Sequence, residues 1–262
     1  MKLHLSGHVA VVTGGASGGR AIAVGFRAEG CRVIVWDSDP DVEDTAAEFE
    51  ALGLQVDVSD QAAVADAFRQ TEAGLGAIDH LVHAAAIGSG KVGAPFTNID
   101  PDDWTKVLEV NILGMVNVAH VVAPGMVERK RGTMVFLGSV AGQIGSPTDP
   151  PYSASKAASI NFAQCMARDL AKYGVRVNTV CPGMVKTPLN ESVWRAWHEQ
   201  QVPGARKPYE EWAAEKVRAV VPLGRWQKPE DIADMVVFLS SDRAGEVTGQ
   251  TINVDGGYVM HW

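Results

Sequence analysis

The chain has 262 residues, 46% of them hydrophobic and 21% charged, with a formal charge of −8 from 31 acidic and 23 basic residues. That length suits a single α/β domain with a large core, and the acidic balance, relieved only by the short patch Glu128-Arg129-Lys130-Arg131, excludes the electrostatic footprint of a nucleic-acid binder. Cys31, Cys165 and Cys181 are scattered without metal-ligand spacing, no run approaches the roughly 20 apolar residues of a membrane span, and no apolar secretion signal precedes the first strand, so a metal-free cytoplasmic protein is expected.

Residues 8–12 form the first apolar, β-branched strand, and Thr13-Gly14-Gly15-Ala16-Ser17-Gly18-Gly19 follows directly. Glycines at a strand-to-helix turn permit close backbone approach, and the first amides of a helix over 18–29 are free to meet a pyrophosphate. The second strand, 32–36, ends at Asp37, about 20 residues beyond the turn, where a carboxylate accepts hydrogen bonds from an adenosine ribose. A carboxylate there repels a ribose 2′-phosphate, and no Arg or Lys stands beside Asp37 or at Ala16 and Ser17. NAD is therefore expected in preference to NADP.

Helix 61–74, strand 78–83, helix 101–122 and strand 133–137 continue the alternation, which implies right-handed βαβ crossovers. The fold class is α/β, a Rossmann-like doubly wound parallel sheet with helices on both faces. Ser139 stands at the end of strand 133–137, with Tyr152 after twelve intervening residues and Lys156 after three more, in a helix over 153–173. A lysine one turn from a tyrosine points to acid–base chemistry. Lowering a phenol from a pKa of about 10 to about 7 takes roughly 4 kcal/mol. A cation about 5 Å away supplies roughly 3 kcal/mol at an effective dielectric of about 20, and the positive charge of an oxidised cofactor completes the shift. Strand 175–180 leads through Pro182-Gly183 to residues 188–225, the stretch that breaks the rhythm and where an α/β enzyme places a substrate lid. Helix 229–239 and strand 251–254 complete a single domain over residues 1–262.

With the glycine-rich turn, Asp37 and the Ser-Tyr-Lys spacing on one chain, the sequence resembles the single-domain short-chain dehydrogenase/reductase family over essentially its whole length. Further matching segments are Val56-Asp57-Val58-Ser59-Asp60, Val110-Asn111-Ile112-Leu113-Gly114, Val177-Asn178, Cys181 to Thr187 and Thr248 to Gly257. The resemblance implies that Asn111 completes a catalytic tetrad with Ser139, Tyr152 and Lys156 and supports a water relay from Lys156 to solvent. It implies a cofactor site formed by Gly14, Ser17, Gly18, Gly19, Asp37, Asp57, Val58, Ala84, Ala85, Tyr152, Lys156, Pro182, Gly183, Val185 and Thr187, with the last two residues on the nicotinamide amide. It further implies hydride transfer between a secondary alcohol and its ketone, and a homotetramer.

Two departures from the family pattern stand out. In Gly18-Gly19-Arg20 the isoleucine of the usual Gly-Ile-Gly is missing, so either Gly19 is the third glycine after a deletion or Arg20 occupies that place and clashes. A lost hydrogen bond to the pyrophosphate costs roughly 1.5–3 kcal/mol, or about ten- to a hundredfold in affinity. In His83-Ala84-Ala85-Ala86, histidine replaces a customary asparagine and is expected to bond neighbouring backbone, without a catalytic role. The aromatics of the lid, Trp194, Trp197 and Trp212, together with Trp262, are read as packing of lid helices or a subunit interface. Arg195, His198, Arg206 and Lys207 are read as a solvated helix face. The expected substrate is a polyol, sugar derivative or cyclic alcohol, or the matching ketone. The alternatives are an NADP-preferring carbonyl reductase and a non-catalytic binding subunit whose glycine loop is defective.

Overall fold

Short apolar runs in this chain become strands because nearly every position along them is covered on both faces by helices, as a parallel sheet requires. A computed structural model of the chain describes residues 2–15, 17–91, 96–145 and 149–261, without the side chains of Ser17, Pro188, Leu189 and Ser192. Ala16, the Ser17 side chain and Trp262 thus lie outside the described residues. The strands are β1 (Val9–Thr13), β2 (Arg32–Asp37), β3 (Leu52–Gln55), β4 (His80–His83), β5 (Gly132–Leu137), β6 (Val175–Pro182) and β7 (Thr251–Val254). They form one parallel sheet in the order β3-β2-β1-β4-β5-β6-β7. The order reverses between β1 and β4, so the loops after these two strands diverge and open a crevice at the carboxyl edge.

The helices are α1 (Ser17–Ala28), α2 (Val42–Ala47), α3 (Gln61–Leu75), α4 (Pro101–Leu108), α5 (Gly114–Arg129), α6 (Pro150–Leu170), α7 (Pro188–Glu199), α8 (Tyr209–Val220) and α9 (Pro229–Ser240). Strand residues alternate between two cores. Val9, Val11, Leu81, Met134 and Phe136 meet Val118, Val122 and Met126 of α5 and Met166 of α6, whereas Ala10, Val12, Val35, Val82 and Val135 meet Ile22 and Phe26 of α1 and Val236 and Leu239 of α9. Asp60 caps α3 by accepting from the amides of Ala62 and Ala63 at 2.8 and 3.1 Å. This supplies acceptors for two of the amides that a helix start leaves unpaired.

The helical run Pro101–Arg129 is long and apolar enough to cross a membrane. Its apolar character serves the core instead, since Val107, Met115, Val118, Val122 and Met126 are all buried.

Strand β4 begins and ends in buried histidine. His80 Nδ1 pairs with the Thr133 hydroxyl at 2.7 Å and its Nε2 with His8 at 2.9 Å, while His83 Nδ1 pairs with the Thr13 hydroxyl at 2.9 Å. His83 therefore bonds a side chain rather than the expected backbone. Burial pushes both rings down to about 3, aided at His80 by the charge of His8 and at His83 by that of Lys156. An unfolded histidine takes its proton near 6.5 and these rings only near 3, so the unfolded state binds more protons between those values. Stability should be complete above pH 6.5 and fall by about 1.4 kcal/mol per pH unit for each ring as the pH drops toward 3. In urea unfolding from pH 8 to 4, His83→Asn should flatten this acid limb by one proton's share. Identical slopes in variant and wild type would contradict the assignment.

Candidate active site

Ser139 lies just beyond β5, where its Oγ accepts from the Ala141 amide at 3.1 Å and so caps a short turn over Val140–Gly142. Tyr152 and Lys156 lie on the first turns of α6. Pro150 and Pro151 open that helix, and Asp149 caps it through the Tyr152 amide at 3.4 Å while its other oxygen accepts from Ser89 N at 2.8 Å. Ser153 Oγ donates to the Ala141 carbonyl, tying the helix to the Ser139 turn. The three side chains line one cavity of about 360 Å³ together with Gly18, Gly19, Ala84, Pro182, Gly183, Val185 and Thr187. Thr187 Oγ1 also caps α7, accepting from Asn190 N at 3.3 Å.

The fourth tetrad position lies behind this wall. Asn111 occupies a π-helical turn, Glu109–Leu113, between α4 and α5. Its Oδ1 accepts from Ile87 N at 2.8 Å, and its Nδ2 donates to Ile87 O and Ser155 Oγ at 2.9 Å each. Ser155 in turn donates to the Tyr152 carbonyl at 2.7 Å. The amide thus clamps the loop after β4 to the tyrosine-bearing helix, and its side-chain bonds run to these partners rather than to Lys156.

Burial pushes the Tyr152 phenol up to about 12, against the downward pull of its hydrogen bond with Ser139. Lys156 Nζ donates to the Leu137 carbonyl at 2.6 Å and stands 5.5 Å from the centroid of the Tyr152 ring. Burial also lowers Lys156 to about 8, which leaves it mostly cationic at neutral pH. Below the site, Cys181 is a buried thiol pushed up to about 11 by desolvation and remains protonated.

A second cavity, of about 330 Å³, is lined by Gly14, Asp37, Asp57, Val58, Ala84 and Ala85, and by Lys106. It shares Ala84 and Ala86 with the first, so the two cavities adjoin across the β1/β4 crossing, as a dinucleotide requires. Asp37 accepts from the Gly15 amide and from Asp39 N at 2.9 Å. A carboxylate has about four lone-pair sites, so acceptors remain for ribose hydroxyls. The cation on this wall, Lys106, faces Asp57 at 4.0 Å. Ser59 donates to Asp57 through its hydroxyl and amide, and these bonds hold that carboxyl below its ordinary range.

The glycine loop is settled by close packing. A Cβ at Gly19 would collide with the Gly14 carbonyl, whereas one at Gly18 would meet nothing within 4 Å. Gly19 is therefore the glycine that lets α1 pack on the strand end. Arg20 points outward, with its guanidinium 2.7 Å from Glu48 and 5.3 Å over the Phe49 ring. The alternative in which Arg20 takes the third glycine position is excluded.

The lid aromatics pack on one another. Trp194 lies 5.7 Å from Tyr209 and Trp197 6.1 Å from Trp212, joining α7 to α8. Arg195 and Lys207 pair with Glu191 and Glu215 on the outer face. Asp149, Asn190, Val193 and Lys216 line the Tyr152 cavity without having been singled out from sequence. Asp149 carried a usable signal, an acidic residue directly before a Pro-Pro helix start.

Comparison with known proteins agrees with this geometry. A family model described as enoyl-(acyl carrier protein) reductase matches residues 14–259. The 3-oxoacyl-(acyl-carrier-protein) reductase FabG of Thermotoga maritima is 35% identical over 265 residues, covering 98% of this chain and 100% of that one. The 2-dehydro-3-deoxy-L-rhamnonate dehydrogenase (NAD(+)) of a Sphingomonas species is 35% identical over 255 residues, covering 96% and 95%. The crystal structure of gox2181 matches with a TM-score of 0.84 at 29% identity, covering 98% of this chain and 97% of that one.

Proposed function

This chain belongs to the short-chain dehydrogenase/reductase family, and on that premise we propose that it is an NAD-dependent oxidoreductase interconverting a secondary alcohol and its ketone. The observation that carries this is the convergence of Ser139, Tyr152 and Lys156 on one cavity that adjoins the cavity holding Asp37. Residues 1–262 act as one NAD(P)-binding domain, and 188–225 as its substrate lid.

When bound, nicotinamide supplies the carbon that gives or accepts hydride. Tyr152 Oη gives its proton to the carbonyl oxygen in reduction and takes the hydroxyl proton in oxidation. Ser139, hydrogen-bonded to the phenol, orients the substrate oxygen. Lys156 spends one of its three ammonium hydrogens on Leu137 and keeps two for the nicotinamide ribose hydroxyls. Asn111 holds the Tyr152 helix against the loop after β4. Gly14, Gly18, Gly19 and the start of α1 at Ser17 receive the pyrophosphate, Asp57 and Val58 the adenine, and Ala84, Ala85, Pro182, Gly183, Val185 and Thr187 the remainder of the cofactor. The Gly15 amide is already engaged by Asp37, so the loop has one donor fewer to offer.

The NAD preference rests on Asp37, and the name of the Sphingomonas relative supports it. In parallel fluorescence titrations NADH should bind saturably and at least tenfold more tightly than NADPH. Tighter NADPH binding would make the protein an NADP-preferring carbonyl reductase. Binding of neither at millimolar concentration would leave a non-catalytic binding subunit. A cytoplasmic homotetramer completes the proposal, in keeping with the free thiols of Cys31, Cys165 and Cys181.

A further inference from the structure

The wall of the Tyr152 cavity carries a second lysine. Lys216, in the middle of α8, lines it beside Asn190 and Val193, with its Nζ 4.7 Å from the centroid of the Trp212 ring. Among the described residues it has no acidic partner, whereas neighbouring lid lysines do: Lys186 pairs with Glu210 at 2.6 Å and Lys207 with Glu215 at 2.5 Å. Asp149, the acidic residue among those lining the cavity, accepts from the amides of Ser89 and Tyr152 and forms no ion pair with Lys216. Lys156 donates to the Leu137 carbonyl and is assigned to the nicotinamide ribose. Burial lowers the pKa of Lys216, and no charged neighbour offsets it. A largely desolvated cation without a partner is costly, and an anion entering the cavity would relieve that cost.

We propose that Lys216 binds an anionic group of the substrate, a carboxylate carried on the same carbon chain as the reacting alcohol or ketone, so that the enzyme prefers hydroxy acids and their oxo acids to neutral analogues. This rests on the hydride-transfer assignment above and specifies its substrate class. A carboxylate is favoured over a phosphate because Lys216 is the one lining lysine not assigned to the cofactor, and with no arginine among the lining residues it matches a monoanion better than a dianion.

The test is steady-state reduction by the full chain with NADH of straight-chain oxo acids of four to six carbons, each beside its methyl ester, and of dihydroxyacetone phosphate beside dihydroxyacetone. Wild type should favour an acid over its ester at least tenfold in kcat/KM. Lys216→Met, which keeps the stem over Trp212, should lower that ratio at least tenfold through KM, and Lys216→Arg should restore most of it. Equal rates on acids and esters, or a ratio unchanged in Lys216→Met, would mean that Lys216 only packs on Trp212. A preference confined to the phosphate ester would overturn the carboxylate assignment. If nothing in the panel is reduced, the hydride-transfer assignment fails on its own, and calorimetric titration of both proteins with the same oxo acids decides about Lys216. Tighter binding to wild type upholds it, and equal or absent binding overturns it.

Discussion

Tyr152→Phe is expected to lower kcat by roughly 10²–10⁴-fold, the range for removal of a positioned general acid or base, while NADH affinity stays within about twofold. The ring keeps its packing beside Lys156, and the loss is confined to Oη and its hydrogen bond with Ser139. A phenol held up at about 12 is a proton donor throughout the neutral range. Reduction should therefore be nearly flat from pH 6 to about 7, below the titration of Lys156 at about 8, while alcohol oxidation, which needs the phenolate, should climb with pH from 6 to 9. A variant retaining more than a tenth of wild-type kcat would take Tyr152 out of the proton transfer, and an oxidation rate that fell with rising pH would reverse the assigned direction of its pKa.

The second large effect belongs to the glycine loop. Gly19→Ala places a methyl group against the carbonyl of Gly14, which cannot retreat because Gly14 itself has a φ of +84° and lies so close to Ala85 that its own Cβ would approach Ala85 N to 2.8 Å. Helix α1 must then lift from the strand end. A destabilisation of about 3 kcal/mol is expected, the upper part of the overpacking range, with at least a tenfold loss of NADH affinity. Gly18→Ala is the contrast. Its Cβ enters open space within a helix, so stability should hold or rise by up to about 1 kcal/mol. Equal losses in urea midpoint for the two variants would mean that the loop does not pack as described.

Much of this architecture is legible from residue order, for reasons the structure makes plain. Six of the strands are short, largely apolar runs, most of them covered on both sheet faces, and each predicted run overlaps an observed strand. The edge strand β3 escaped because Leu52-Gly53-Leu54-Gln55 is short, contains glycine and pairs on one side only. Helix α2, six residues long, has too few turns to show a period. Ser139, Tyr152 and Lys156 announce themselves by spacing, but the charge of Lys156 acts where its Nζ points, and no spacing reveals that Leu137 captures it. The pairwise arithmetic also left out desolvation, which at Tyr152 outweighs every other influence. The deletion in the glycine loop had two readings until the position of Gly14 distinguished them. Lys216 stayed hidden because its significance lies in the absence of an acid nearby, which depends on how the whole lid folds.

The π turn that carries Asn111 constrains the length of the chain as well as its chemistry. The bond from Gly114 N to Glu109 O spans five residues, so the run from α4 to α5 holds one residue more than an unbroken α-helix through the same path would need. Deleting a residue there would restore regular α-helical winding along the same path. Met115, Val118, Val122 and Met126, all buried, would keep the face that meets the sheet, whereas Asn111 would lose the turn that carries it to Ile87 and Ser155. A deletion in this segment is thus compatible with the core and opposed by the tyrosine-bearing helix, so the extra residue is kept for the site rather than for packing.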